Sequence, residues 1–218
     1  MNLLLHVCCG PCTLYPLRVL REEGIEVSGY FYNPNIHPYR EFKRRIAALV
    51  ELSEQKKFAV EIDRNYGLRE YMRQVVFHED ERCGICYDMR LTRAAERAAE
   101  RGMDAFSTTL LYSRYQNHAL LKDKCAALAR RFGIEFLYRD FREGWQEGID
   151  ESIAMELYRQ PYCGCIYSEQ ERYDKKWRKQ QRKQRQKPIP TDRVNKGMKA
   201  AGIEHGTAPG FHMNQQKR

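Results

Sequence analysis

Apolar positions along this chain follow two periods in alternation. Leu3-Leu4-Leu5-His6-Val7-Cys8 is a nearly continuous apolar run, as a strand buried on both faces requires, and Gly10-Pro11 breaks it. A helical pattern covers 14–23 and stops near Gly24. Val27 to Tyr32 reads as a second strand, followed by an Asn-Pro loop over 33–38. Over 39–56 the apolar residues Phe42, Ile46, Leu49, Val50 and Leu52 recur at helical spacing among many charges, which predicts an amphipathic helix. Phe58 to Ile62 alternates as a third strand, and 68–77 is a short helix. Cys83-Gly84-Ile85-Cys86 opens a helix that runs to about Arg101 and ends at Gly102. Ala105 to Leu111 is a fourth strand, 117–132 a helix stopped by Gly133, Ile134 to Tyr138 a fifth strand and 146–158 a further helix. Strands alternating with helices predict an α/β fold with a doubly wound, mostly parallel sheet. No internal repeat is present. Beyond Cys163-Gly164-Cys165 lies a polar helix over about 167–187, and Pro188-Ile189-Pro190 begins a tail expected to be loosely ordered.

Composition adds a size and a direction. The 218 residues, 42% hydrophobic, suit one large domain or one domain with a tail. No apolar run reaches membrane-spanning length, and the first residues lack the basic lead-in and cleavage site of a signal peptide, so the expectation is a cytoplasmic protein with no membrane partner. In that compartment thiols stay reduced, and eight clustered cysteines point to metal or redox work instead of structural disulfides. The net charge of +9 is uneven: residues 171–218 hold 14 Lys and Arg against 4 Asp and Glu. A near-neutral body thus carries a strongly basic segment, which favours a polyanion, nucleic acid ahead of an anionic membrane surface.

The cysteines form a constellation. Cys8 and Cys9 end the first strand, Cys83 and Cys86 sit at a helix start, and Cys163 and Cys165 lie near the end of the body; Cys12 and Cys125 stand apart. A helix N-terminus favours thiolate, the ligand form. Two such thiols and the adjacent pair from the sheet edge could place four sulfurs round zinc or a four-iron cluster. The alternative is that Cys8 and Cys9 are core residues and Cys83-x-x-Cys86 is a redox dithiol. Adjacent strand residues face opposite ways, so joint use of Cys8 and Cys9 requires the strand to end there. Cys163-Gly164-Cys165 could close a strained, easily reduced disulfide, be a pair of free thiols in a turn, or supply further ligands. Cys125 reads as a small core residue.

The segments L-L-L-H-V-C-C-G-P-C, Y-N-P-N-I-H-P, R-C-G-I-C-Y-D-M-R-L, F-S-T-T-L-L and Y-R-Q-P-Y-C-G-C-I-Y-S, in that order over about 3–168, resemble the cobalamin-independent epoxyqueuosine reductases, the QueH family. The resemblance implies a fold similar to the nucleotide α-hydrolase-like (PP-loop/HUP) sheets. It implies reduction of epoxyqueuosine to queuosine at the wobble position of tRNA, the last step of queuosine synthesis, with no cobalamin and an unidentified electron donor. Carried over by motif, Cys8, Cys9, Cys83 and Cys86 would ligate a [4Fe-4S] cluster, and Cys163 and Cys165 would form the redox-active disulfide. An additional iron is compatible with the family, and Cys12 is nearby in sequence. The expected division is an iron–sulfur reductase domain over 1–168 and a basic, tRNA-contacting helix and tail over 169–218.

Other residues carry paired readings. Tyr87, His37 and Tyr162 are candidate proton donors, or packing residues. Arg90, one turn past Cys86, could stabilise cluster charge, grip a phosphate, or form a surface ion pair. Thr108 and Thr109 could contact nucleotide or finish a strand; Asn33 and Asn35 could read a base edge or make a turn. Lys175, Lys176, Arg178 and Lys179, beside Trp177, suit a phosphate grip on tRNA, because little acidic charge balances them. Two rivals stand beside the reductase: an ATP-using tRNA-modifying enzyme, which needs a Gly/Ser-rich loop after the first strand, and a zinc-stabilised RNA-binding protein without catalysis.

Overall fold

The computed structural model describes residues 1–185. A first compact unit spans Met1–Tyr173 and a second begins at Asp174. In the first unit, strands β1 (Asn2–His6), β2 (Glu26–Phe31), β3 (Val60–Ile62), β4 (Ala105–Thr108) and β5 (Glu135–Phe136) form a sheet in the order β3-β2-β1-β4-β5. Every pairing is parallel. Helices α1 (Leu14–Glu22), α2 (Tyr39–Gln55), α3 (Leu68–Val75), α4 (Arg82–Glu100), α5 (His118–Phe132), α6 (Trp145–Ala154) and α7 (Ile166–Tyr173) surround it. They cover both faces of the sheet: α4 lies along β1 and β4 and against α5, while α1 lies along β2 and against α6.

This layering explains the apolar first run. β1 is central and paired on both edges, with Leu5 opposite Gly29 and Ser107, and Leu3, Leu4 and Leu5 are fully buried. The chain winds from β1 to β3 in one direction and then restarts beside β1 with β4. The carboxyl ends of β1 and β4 therefore flank a switch-point crevice, where open α/β sheets bind ligands.

The fold class agrees with the sequence, and several boundaries differ for local reasons. β1 ends at His6, before the cysteines. The fourth strand stops at Thr108, whose hydroxyl accepts from the Leu110 amide and turns the chain into a 3₁₀ turn at Thr109–Tyr112. Phe58 is buried in the core, yet pairing with β2 starts only at Val60. The sixth helix ends at Ala154, just before Glu156 takes a left-handed φ of 53°. The single polar helix expected over 167–187 is two: α7, then α8 (Lys175–Arg185). Asp174 caps the second, its carboxylate accepting from the Trp177 amide at 2.9 Å and its carbonyl from Arg178 at 3.1 Å. The tail expected from Pro188 onward lies outside the described residues. Among the described residues no helix is long and apolar enough to cross a membrane.

Candidate functional site

The crevice beyond β1 is lined with sulfur. Because β1 ends at His6, Cys8 and Cys9 escape the strand's alternation, and their Sγ atoms lie 3.8 Å apart. Pro11 opens a 3₁₀ turn at Pro11–Thr13 that folds Cys12 back, and the sulfurs of Cys8, Cys9 and Cys12 all fall within 4.8 Å of one another. A Cβ on Gly10 would stand 3.0 Å from the Ala48 carbonyl, so α2 approaches this turn closely only because the residue is glycine. Thr109, just past β4, holds Cys8 twice: its Oγ1 accepts from the Cys8 amide at 3.0 Å and donates to Cys8 Sγ at 3.2 Å. Gln160 Nε2 donates to Cys9 Sγ at 2.8 Å and reaches Cys12 Sγ at 3.5 Å. Hydrogen bonds from Cys12 and Cys9, with Thr109, hold the Cys8 thiol well below the ordinary range. Burial pushes Cys9 well up, and the bonds to Cys8 and Cys9 push Cys12 well up. The environment of the trio thus favours a thiolate on Cys8 and disfavours one on Cys9 and Cys12.

A second sulfur group lies on α4 and in the segment before α7, and Cys83 and Cys86 do not fall in the 4.8 Å set that joins Cys8, Cys9 and Cys12. Cys83 and Cys86 occupy the first turn of α4, the former exposed and the latter buried. Burial raises Cys86 to about 12, and partial desolvation by the surrounding protein raises Cys83 as well. Buried Cys165 packs with Cys86, Tyr71 and Val75 and has the Ser168 amide 3.4 Å from its sulfur. Cys163 is exposed and takes a hydrogen bond from Gln116 Nε2 at 3.4 Å. All eight cysteines are free thiols.

The Cys163-Gly164-Cys165 loop is held by an ion pair on α2. Arg45 and Glu41, both buried, meet at 2.7 Å. The Arg45 guanidinium donates to the carbonyls of Cys163 at 2.8 Å and Tyr162 at 2.9 Å, and Glu41 accepts from the Tyr158 hydroxyl. Gly164 has φ 152°, and its carbonyl accepts from the His37 amide at 2.8 Å. A Cβ there would meet Asn35 Nδ2 at 3.0 Å and Arg45 at 3.3 Å.

Arg90 is buried one turn past Cys86 on α4. It is 2% exposed, and among the described residues no carboxylate pairs with it. Its Nε donates to the Cys86 carbonyl at 3.2 Å, one terminal nitrogen reaches Asn33 Oδ1 at 3.4 Å, and the other has no partner. Burial opposes its charge, and Cys86, Cys163 and Cys8 more than offset this, so its pKa stands above the ordinary value. Burial excludes a surface ion pair.

The other expected residues sort as follows. Tyr87 is buried; its hydroxyl donates to Gln116 Oε1 at 2.9 Å, accepts from the Asn117 amide, and is pushed to about 12 by burial. With Gln116 it forms a chain to Cys163. The Tyr162 hydroxyl is committed to the His37 carbonyl. Thr108 caps a turn and meets His6 Nδ1 at 2.9 Å, and Asn33 ties to the Val7 carbonyl at 2.9 Å, so both act within the scaffold. Asn35 is buried. In α8, Lys175, Lys176 and Lys179 are exposed and Arg178 is partly so. Reasoning from sequence missed Arg45, Glu41, Gln116, Gln160 and Tyr71. Arg45 did leave a signal: it falls between Phe42, Ile46 and Leu49 on the apolar stripe of α2, where a lone cation needs a reason.

His37 supplies a pH test. Its ring is 2% exposed, packs against Tyr66 and Tyr71, and has neither nitrogen in full hydrogen-bonding geometry. Burial lowers its pKa from 6.5 to about 4, with the Pro34 carbonyl opposing. Between these values the unfolded chain binds a proton that the native protein refuses, so stability falls as pH drops through the window. At pH 5 the loss from this ring is about 2 kcal/mol. Urea midpoints at pH 7.5 and 5 are expected to differ less in His37→Phe than in the wild type; equal differences would rule His37 out as the cause.

A wholly parallel sheet with a thiol-lined crevice at its switch point defines a doubly wound α/β domain with its candidate site at the carboxyl ends of β1 and β4. The fold is shared with a solved structure, the predicted subunit of tRNA methyltransferase from Methanocaldococcus jannaschii, at TM-score 0.50 and 12% identity over 70% of this chain and 74% of that one. The family profile described as epoxyqueuosine reductase QueH matches residues 3–171, and the chain belongs to that family. Epoxyqueuosine reductase QueH of Dehalococcoides mccartyi is 42% identical over 80% of this chain and 96% of its own length. The Thermotoga maritima protein of the same name is 33% identical over 80% and 93%. The chain is therefore an oxidoreductase, which sets aside both rival readings.

Proposed function

We propose that this chain reduces epoxyqueuosine to queuosine at the wobble position of tRNA, completing queuosine synthesis without cobalamin. The observation that carries the reading is Arg90, a buried cation without a carboxylate that feels thiols from both sulfur groups. Such a cation suits a crevice whose occupant and ligands are net negative. Cys8, Cys9, Cys83 and Cys86 would hold a [4Fe-4S] cluster, and Cys12, within 4.8 Å of two of them, would serve an accessory iron. When bound, the cluster supplies electrons singly.

The chain's own residues have definable parts. Removing the epoxide oxygen consumes two electrons and two protons and leaves an alkene and water. Cys163 and Cys165 as dithiol release that number when they close to a disulfide, and an external donor must restore them. Gln116 donates to the Cys163 sulfur and orients it, while Tyr87 fixes Gln116 from behind. Arg45 holds the loop through the Cys163 carbonyl. Lys175, Lys176, Arg178 and Lys179 on α8 would grip tRNA phosphates.

The test is anaerobic turnover of tRNA carrying epoxyqueuosine, with queuosine measured in digested product; no product from protein loaded with iron and sulfide would sink the proposal. A tRNA-binding titration at several salt concentrations reads the α8 contacts. The affinity for tRNA is expected to fall steeply with salt, and the joint change of Lys175, Lys176 and Lys179 to Gln to flatten that slope by about three. An unchanged slope would remove α8 from the interface.

A further inference from the structure

The first unit carries a surface that the basic helix does not account for. The turn between Tyr112 and α5 holds Arg114 and Tyr115 directly before Gln116, the residue that touches Cys163. Tyr115 is 83% exposed. Its ring stands edge-on to Trp145, centroids 5.6 Å apart at 78°, so it is braced in place with an open face. Arg114 lies over the same indole at 5.8 Å. Its guanidinium donates only to the Arg142 carbonyl, and among the described residues no carboxylate pairs with it. A cleft of about 430 Å³ lined by Arg114, Asp140, Arg142 and Glu143 opens alongside. There Arg142 already neutralises Asp140 through contacts at 2.8 and 2.5 Å, and Glu143, the other carboxylate of the cleft, accepts from the Tyr15 hydroxyl at 3.3 Å and forms no ion pair with Arg114.

We infer that Tyr115, Trp145 and Arg114 form a docking platform for a single-stranded RNA loop, with Tyr115 stacking on a base next to the nucleotide that enters the thiol crevice. A single exposed tyrosine is ordinary. This one is fixed by an indole, flanked by an unpaired arginine, and one residue from the group that touches Cys163. Unpaired loop bases are bound by such combinations of aromatic faces and phosphate-contacting arginines. The inference rests on the tRNA reading above and adds a contact within the first unit that sets which base lies beside the reacting one.

The experiment measures binding apart from turnover. An unmodified anticodon stem-loop RNA, labelled for fluorescence anisotropy, is titrated with the full chain and with Tyr115→Ala, Tyr115→Phe and Arg114→Ala. Stacking on aromatic residues predicts a Kd raised roughly tenfold in Tyr115→Ala and within about twofold of the wild type in Tyr115→Phe. Tyr115→Ala should leave the salt slope unchanged, whereas Arg114→Ala should lower it by about one. Because both residues are exposed, thermal melts should stay at the wild-type value. A Tyr115→Ala Kd within twofold of the wild type would overturn the inference, as would wild-type protein that binds no stem-loop. Binding with the expected pattern but no reduction of epoxyqueuosine would uphold the platform and defeat the reductase proposal alone.

Discussion

Protein carrying Cys83→Ser is expected to lose iron and acid-labile sulfide together and to fall at least about a thousandfold in turnover. A serine hydroxyl stays protonated where a thiolate would bind, and iron–sulfur clusters are held by thiolates. Cys8→Ser and Cys9→Ser should behave alike. Cys163→Ser should keep iron and sulfide and still abolish turnover, because it removes one arm of the dithiol and leaves the four ligands intact. Cys12→Ser is the informative case. Its sulfur lies in the trio with Cys8 and Cys9, so an accessory iron there predicts lower iron at unchanged sulfide. Metal and sulfide analysis with a visible spectrum, on protein purified without oxygen, checks all of these. Zinc without sulfide in the reconstituted wild type, or iron lost in Cys163→Ser, would overturn the ligand assignment.

The second large effect concerns stability. Arg45→Met is expected to cost about 3–5 kcal/mol, because it leaves Glu41 charged and buried without its partner. For a unit of this size that lowers Tm by roughly 10 °C. Adding Glu41→Gln removes the orphaned charge and should restore most of the loss. Turnover should not return with it, because the carbonyls of Tyr162 and Cys163 still lack the guanidinium that held them. Denaturant midpoints and tRNA turnover on the single and double variants check this. A single variant less than about 1 kcal/mol below the wild type, or a double variant as active as wild type, would show that the pair does not hold the loop.

Much of the scaffold was legible because each cue was local. The apolar run from Leu3, the stripe through Phe42 and Leu49, and Gly133 with its left-handed φ all act within a turn or a strand. Strand ends were not legible where a side chain decides them, as Thr108 does by capping its own turn. The site divides the same way. The cysteine spacings announced themselves, and so did the turn at Gly10-Pro11. The contacts that assemble the site join residues far apart in the chain: Gln160 to Cys9, Arg45 to Cys163, Thr109 to Cys8. No periodicity encodes these. What the sequence did contain was a cation in the wrong place, twice: Arg45 and Arg90 both sit on the buried stripes of their helices.

Arg90 has one more consequence, for how the crevice is loaded. A buried guanidinium with an unpartnered nitrogen would gain a partner when anionic charge arrives, so the carboxyl end of the sheet is the region that such loading would stabilise most. On the cluster reading proposed above, a bulky inorganic group would enter by local opening there, and loading would then close the way behind it. Hydrogen exchange at the amides of Val7 to Cys12 and of the first turn of α4 should therefore slow sharply on reconstitution, more than anywhere else in the sheet.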